Sequence, residues 1–274
     1  MSPGRFGGQV ALVSGVARPP GIGRATALRL AAGGASVVCA DLVDPSPRDT
    51  GSAPPGLFEQ IVAEVDAAGP GRILAIPQQT LDPEAAVQAA LDTFGRLDVC
   101  CALNGVTGRD AGDGPLLEVA DEAWQRGLDL NMTATWRVVR AAARAMIGSG
   151  TPGSIVALSS YAAVKPEANV GAVGAARAAV RHLVAVFAQE LGPHGIRCNA
   201  VAPLAVEPSG QFPNPGLVKL AEAVAGSLPA WLTRSVPLGR AQRADETAAV
   251  VEFLCSADAS FVSGVEIRVS GGAC

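Results

Sequence analysis

The sequence has no run of lysine or arginine, no C-x-x-C pair, only two histidines and one tyrosine, and no long apolar stretch free of breakers. Each absence removes a class of function. With 21 basic against 25 acidic residues, a formal net charge of -4 and no basic cluster, nothing matches a phosphate backbone or an anionic bilayer surface. Neither nucleic acid nor a membrane is therefore expected as a partner. The six cysteines (Cys39, Cys100, Cys101, Cys198, Cys255, Cys274) sit mostly inside apolar runs and read as buried thiols, not as a disulfide framework or a zinc set. His182 and His194 lack a Cys, His or carboxylate at ligand spacing, so no metal is expected. Mean hydropathy is +0.31, yet the uncharged stretch Ala145–Val164 is interrupted by Gly148, Gly150, Pro152 and Gly153. It reads as a helix end, a loop and a strand. Met1–Gly8 holds one arginine and no separable apolar segment, which predicts a cytoplasmic location.

What is present is a chain of 274 residues, 49% hydrophobic and 17% charged, enough for one large core. Neither an internal repeat nor a low-complexity tail divides it, so a single domain over 1–274 is expected. Apolar runs rich in β-branched residues alternate with segments of helical period from end to end. Strands are predicted at Gln9–Ser14, Ser36–Ala40, Arg72–Ile76, Val99–Leu103, Ser154–Ser159, Arg197–Val201 and Val265–Val269. Helical spacing shows in Leu28 with Leu30–Ala31, and in Val180, Leu183–Val184, Phe187 and Leu191. The pattern predicts an α/β fold, a doubly wound parallel sheet of the Rossmann type. Two segments depart from it: a loop at Asp44–Gly56, and a Pro- and Gly-interrupted stretch, Leu204–Leu238, built around a short helix. The second lies where a lid would cover a ligand at the carboxyl edge of the sheet.

The first strand runs into Ser14-Gly15-Val16-Ala17-Arg18-Pro19-Pro20-Gly21-Ile22-Gly23, and a helix is predicted from about Arg24. Glycine suits such a turn because the chain reverses sharply and a pyrophosphate must reach backbone N–H groups at the helix start. Asp41 ends the second strand, where a carboxylate accepts both hydroxyls of an adenosine ribose and repels a 2′-phosphate. That favours NAD(H) over NADP(H). Arg18 argues the other way, as a cation able to pair with a 2′-phosphate.

Taken in order, these pieces resemble the short-chain dehydrogenase/reductase family from about Gly8 to Gly272. The glycine turn is similar to the family's T-G-x-x-x-G-x-G with two extra residues. Ala102-Leu103-Asn104-Gly105 stands in the place of N-N-A-G, and Trp124 with Leu128-Asp129-Leu130-Asn131 resembles the helix that carries the active-site asparagine. Gly153 to Ser160 resembles the strand that delivers the catalytic serine. Ile196 to Pro203, and Val262-Ser263-Gly264 through Gly271-Gly272, complete the series. The resemblance implies cofactor contacts at Gly15, Gly21, Ile22, Gly23, Asp41, Asn104 and Gly105, and catalytic roles for Asn131 and Ser160.

It also implies hydride transfer at the nicotinamide, with a tyrosine as general acid/base. A lysine one helical turn later lowers the tyrosine's pKa and holds the nicotinamide ribose. Here that Y-x-x-x-K falls on Val173 and Arg177. Valine transfers no proton; Arg177 shares Val173's helix face and is expected at the ribose hydroxyls, but it does not work as a proton shuttle. Gln79 replaces the aspartate at adenine, Ala102 and Leu103 replace asparagines, and Leu204 replaces the glycine after Pro203, where a side chain crowds the nicotinamide. Pro208 stands near the place of a cofactor-binding threonine. Tyr161, the only tyrosine, follows Ser160 and is a candidate substitute acid or a packing residue; Lys165 and Glu167 rank below it.

Three roles stay open at this point. The chain is a redox-silent subunit pairing with a homologous active one; or an enzyme that performs a dehydration, cyclisation or isomerisation of a hydroxy or oxo compound in the reused pocket; or an NAD(H)-dependent alcohol/ketone oxidoreductase with Tyr161 or a water in place of the acid. A small-molecule substrate or a homologous subunit is the expected partner, in a homo- or hetero-oligomer.

Overall fold

A computed structural model describes residues 4–17, 21–42, 55–78, 82–207 and 215–273. Its strands are β1 (Val10–Ser14), β2 (Ser36–Leu42), β3 (Ile73–Gln78), β4 (Val99–Ala102), β5 (Gly153–Leu158), β6 (Ile196–Pro203) and β7 (Glu266–Val269). All pair in parallel, in the order β3-β2-β1-β4-β5-β6-β7. Every predicted strand is present, with ends displaced by at most two residues.

The continuous apolar runs have a direct cause, which is burial of the sheet on both faces. Side chains alternate along each strand. In β1, Ala11 and Val13 face the layer of α1 (Ile22–Ala32), α2 (Pro55–Ala67) and α9 (Ala244–Cys255), where Leu30, Ile61 and Leu254 close the core. Val10 and Leu12 face the opposite layer of α3 (Pro83–Phe94), α5 (Ala134–Ser149) and α6 (Gly171–Leu191), against Val87, Val138 and Val180. A fully buried aliphatic side chain in such a core contributes roughly 1.5–3 kcal/mol by burial.

Helix ends follow local chemistry. Asp82 caps α3 by accepting the N–H of Ala85 at 3.1 Å, Pro83 opens the helix, and Gly95 ends it at φ 75°. α1 begins at Ile22, two residues before the expected start. The chain segment Gly171–His194 is long and apolar enough to cross a membrane by length and composition. Its apolar face is used against the sheet, where Val180 and Val184 pack with Ile155 and Cys198.

The lid stretch contains two helices where one was expected, α7 (Pro215–Ala225) and α8 (Leu228–Ser235). They enclose a third apolar cluster around Ala221, Trp231 and Val236, on which Leu204 also packs. The predicted loop at 44–56 falls mostly outside the described residues, and its last two residues begin α2. The thiols of Cys39, Cys100, Cys101, Cys198 and Cys255 are free and buried, as expected; Cys274 lies outside the described residues. Burial pushes Cys39 and Cys198 up to about 12, which leaves them protonated.

One buried carboxylate joins the sheet's amino edge. Asp98 is 5% exposed, accepts the N–H of Val10 at 2.8 Å, and receives the Arg96 guanidinium at 2.6–3.2 Å. Asp98→Ala would strand the Val10 N–H in a site closed to water. It is expected to lower stability by about 2–3 kcal/mol, read from the urea midpoint, whereas Asp98→Asn, which keeps an acceptor, loses roughly half as much.

Candidate functional site at the carboxyl edge

The sheet order reverses between β1 and β4, and their carboxyl ends open the crevice in which doubly wound folds bind ligands. Gly15 leaves β1 at φ 80°. A Cβ there would lie 2.6 Å from the Leu103 carbonyl, and one at Gly23 would lie 2.1 Å from the Gly15 carbonyl. Only glycine allows the turn to pack this closely on the β4 loop and on α1. Gly21 is the N-cap of α1, in extended conformation and without a side-chain cap, so Ile22, Gly23 and their neighbours present backbone N–H groups at the crevice. Asp41 lies within β2, is 8% exposed, and accepts the Ala17 N–H at 2.6 Å, which places its carboxylate against the glycine turn. Arg18 and Gln79 lie outside the described residues, as does Pro208.

Across the crevice, Asn104 accepts a hydrogen bond from Ser14 Oγ at 3.1 Å and donates to the Leu130 carbonyl at 3.3 Å. Ser14 carried no functional signal in the sequence beyond its place at the strand end. Asn131 is fully buried in a π-turn, Asp129–Thr133, that joins α4 (Asp121–Leu128) to α5. Such turns recur at functional sites. Its amide donates to the Gly127 carbonyl at 2.9 Å and its Oδ1 accepts the Val106 N–H at 3.1 Å, so both ends of the side chain hold main chain. Ser160, half-buried after β5, accepts the Ala162 N–H at 3.2 Å and caps the 3₁₀ turn Tyr161–Ala163. Tyr161 is buried in that turn, and its hydroxyl meets no protein partner among the described residues. Lys165 is exposed and Glu167 half-buried in the following loop.

α6 presents Val173 and Arg177 on one buried face, at 3% and 4% exposure. The guanidinium is bonded to main chain. Nη1 donates to the Leu158 carbonyl and Nη2 to the Asn104 carbonyl at 3.1 Å. Nη2 also lies over Gly105 so closely that a Cβ there would sit 1.7 Å away, with Asn131 Oδ1 at 2.8 Å. Arg177 was expected at ribose hydroxyls; two of its guanidinium nitrogens donate here to main-chain carbonyls. Desolvation pulls its pKa down to about 10, which leaves it charged at neutral pH.

Leu204 is half-buried, donates its N–H to the Val269 carbonyl at 3.1 Å, and accepts Gln242 Nε2 at 2.8 Å. Ala205 follows at φ 54°, a left-handed conformation that L-residues seldom adopt. The loop after β4 adds Asp113, which no motif signalled. Its Oδ2 accepts the Gly108 N–H at 2.6 Å, its Oδ1 is buried without a protein partner among the described residues, and desolvation pushes its pKa up to about 6. The neighbouring Gly114 N–H bonds the Asn169 carbonyl at 2.8 Å, just before α6, which ties this loop to the helix that carries Val173.

A family profile described as enoyl-(acyl carrier protein) reductase matches residues 15–274. The (3R)-3-hydroxyacyl-CoA dehydrogenase of Mus musculus is 35% identical over 280 residues, which cover 98% of this chain and 97% of the relative. The carveol dehydrogenase of Mycobacterium avium, solved in complex with NAD, superposes with a TM-score of 0.81 at 29% identity and 98% coverage of both chains. A short chain dehydrogenase of Mycobacterium paratuberculosis bound to NAD gives 0.84 at 31% identity, again with 98% of both chains covered.

Asp113 makes stability depend on pH. Its value near 6 stands above the ordinary 3.8, so folding favours the protonated form. The stabilising contribution is fully present below about pH 4 and is lost as pH rises through about 6. Asp113→Asn keeps an acceptor for Gly108 without the buried charge. It is expected to exceed the parent by on the order of 1 kcal/mol at about pH 8, with the two melting curves converging toward about pH 4.

Proposed function

The chain belongs to the short-chain dehydrogenase/reductase family, and from that premise we propose that it binds NAD(H) but does not pass hydride by the family's tyrosine-dependent route. The observation that carries this is the buried face of α6, where Val173 supplies no proton and the Arg177 guanidinium is engaged by the Leu158 and Asn104 carbonyls. The adenosine diphosphate half of the cofactor fits the residues present. Gly15 and Gly23 let the turn pack on the Leu103 carbonyl and on α1, the start of α1 carries no side-chain cap, and Asp41 stands beside the turn. When bound, the cofactor supplies a hydride donor or acceptor at its nicotinamide ring. The chain's part in such a step would be to deliver a proton to the substrate oxygen, and neither Val173 nor Arg177 does so.

On this reading Asn131 and Ser160 hold main chain, and the chain acts as a redox-silent subunit assembled with itself or a homologous active chain. Support for assembly comes from the β7 side of the molecule. Phe261 is fully exposed, Leu238 and Val265 are 69% and 40% exposed, and β7 is an edge strand. Exposed apolar side chains near an edge strand are common material of a subunit contact.

A second reading is favoured by one observation, the buried hydroxyl of Tyr161, next to Ser160 in sequence and without a protein partner among the described residues. A phenol in that state is available to donate to a substrate oxygen and to replace the missing acid.

Calorimetric titration is expected to show micromolar NADH binding and at least roughly tenfold weaker NADPH binding, because the Asp41 carboxylate repels a 2′-phosphate; equal affinity for both would remove Asp41 from the adenosine site. Turnover on a panel of ketones is expected to be negligible in the parent and to rise by roughly 10²-fold in Val173→Tyr with Arg177→Lys. Parent turnover that is substantial, and abolished by Tyr161→Phe, would establish the second reading instead.

A further inference from the structure

Two thiols that play no part in the crevice lie against each other inside the molecule. Cys101 Sγ, from β4, stands 3.6 Å from Cys255 Sγ, at the last residue of α9, although 154 positions separate them in the chain. Both belong to the core between the sheet and the layer of α1, α2 and α9, at 0% and 5% exposure. Cys39, Cys100 and Cys198 are also free and buried, but none of them has another thiol at hydrogen-bonding distance among the described residues.

The two sulfurs are held by separate anchors. Cys101 is fixed in the parallel ladder, in register with Val13 of β1 and Val156 of β5. The end of α9 is pinned on both sides of Cys255: Ser154 Oγ donates to the Leu254 carbonyl at 2.9 Å, and Arg197 Nη2 donates to the Ser256 carbonyl at 3.2 Å. The second bond also brings a cation to the Cys255 end of the pair. Groups positioned in this way react as one molecule, without the entropy cost of an encounter. Bond formation asks the sulfurs to close by only about 1.5 Å, a movement that two side-chain rotations share.

We infer that Cys101 and Cys255 are a reversible oxidation site, at which hydrogen peroxide produces a disulfide that staples α9 to the central strand of the sheet. Cys255 has the greater exposure and sits at a helix end, so it is attacked first. Its sulfur takes one peroxide oxygen: the S–O bond forms, the O–O bond breaks, and a sulfenic acid and one water result. Cys101 then attacks that sulfur. The S–S bond forms, the S–O bond breaks, and the hydroxyl leaves as a second water with the proton of the Cys101 thiol. The thiols together lose two electrons and two protons, and the peroxide is reduced to water. The contact with Cys255, and burial after it, push the Cys101 thiol up, which keeps it protonated until the sulfenic acid forms beside it. The bond closes a long loop of chain, the case in which restriction of the unfolded state is greatest. Whether a dinucleotide binds has no bearing on this site.

The test is a peptide map of the folded protein carrying Cys274→Ser, so that the C-terminal thiol takes no part. The protein is treated with hydrogen peroxide, its remaining thiols are blocked in denaturant, and the digest is read by mass spectrometry. The expected product is a linked Cys101–Cys255 peptide that dithiothreitol cleaves, with Cys39, Cys100 and Cys198 recovered as blocked thiols. The oxidised protein is expected to melt about 5 °C higher, and to lose that gain on reduction. Cys101→Ala is expected to stop the linkage and to leave Cys255 as a sulfenic acid that dimedone captures; should this variant fail to fold, the map and melting curve of the protein with Cys101 in place decide alone. Recovery of Cys101 and Cys255 as free thiols overturns the inference, as does a free Cys101 beside a Cys255 carried on to sulfinic acid. A linked protein whose melting temperature is unchanged or lowered overturns it too, because the packed core then does not accept the bond as a staple.

Discussion

The site depends on one buried cation. Arg177 sits in α6 with no carboxylate among the partners of its guanidinium in the described residues, and its charge faces two carbonyl dipoles, at the end of β5 and in the loop after β4. An unpaired cation in such a place is costly unless its donors are satisfied. The main chain supplies that satisfaction, and three consequences follow. The β4 loop and the end of β5 are clamped together. A side chain at Gly105 would meet the guanidinium and Asn131 Oδ1 and require them to shift. The face of α6 that carries Val173 and Arg177 is buried. Lowering of the pKa to about 10 reports the desolvation that this arrangement sustains.

The clamp is effective because the topology has already brought its acceptors together. β4 pairs with β1 on one side and β5 on the other, so the loop that carries Asn104 leaves β4 beside the end of β5 that carries Leu158. α6 crosses from the end of β5 to β6 on the same layer as α5, and its register puts Arg177 at the level of those ends. The glycine turn reaches the same level from β1, where Ser14 and Asn104 link the two sides through a hydrogen bond of 3.1 Å. A change at one residue of this edge is therefore felt by three strands and one helix, which is why substitution of Arg177 alone tests less than its combination with Val173.

The fold was legible because parallel strands buried on both faces leave continuous apolar runs, and each of these runs falls on a strand. Helix starts were less legible: α1 begins at Ile22 because Gly21 and the turn geometry set the start, not a side-chain cap that a reader would notice. The second lid helix escaped notice because prolines and glycines suggested irregular chain, while Pro229 in fact occupies the first turn of α8 behind the capping Ser227. At the site, spacing placed Val173 and Arg177 on one face, and both are buried there. It gave no information on where a flexible guanidinium points. Spacing describes Cβ directions, and the acceptors belong to main chain far away in sequence. Asp113 was invisible for the same reason: its raised pKa arises from burial by a loop that has no sequence pattern.

Persistence of residue type and persistence of chemistry separate in this chain. Asn131 and Ser160 occupy the positions of catalytic residues, yet the hydrogen bonds they make, to Gly127, Val106 and Ala162, are those of a turn and a cap. Removal of either would disturb the π-turn or the 3₁₀ turn whether or not any substrate were bound, so structural need alone is sufficient to retain them. A proton donor has no such second duty. Its phenol earns no backbone bond in the fold, and once chemistry no longer requires it a valine fills the same buried face with better apolar packing. Under the redox-silent reading proposed above, Asn131 and Ser160 stay because packing and hydrogen bonding need them, while position 173 answers to packing alone.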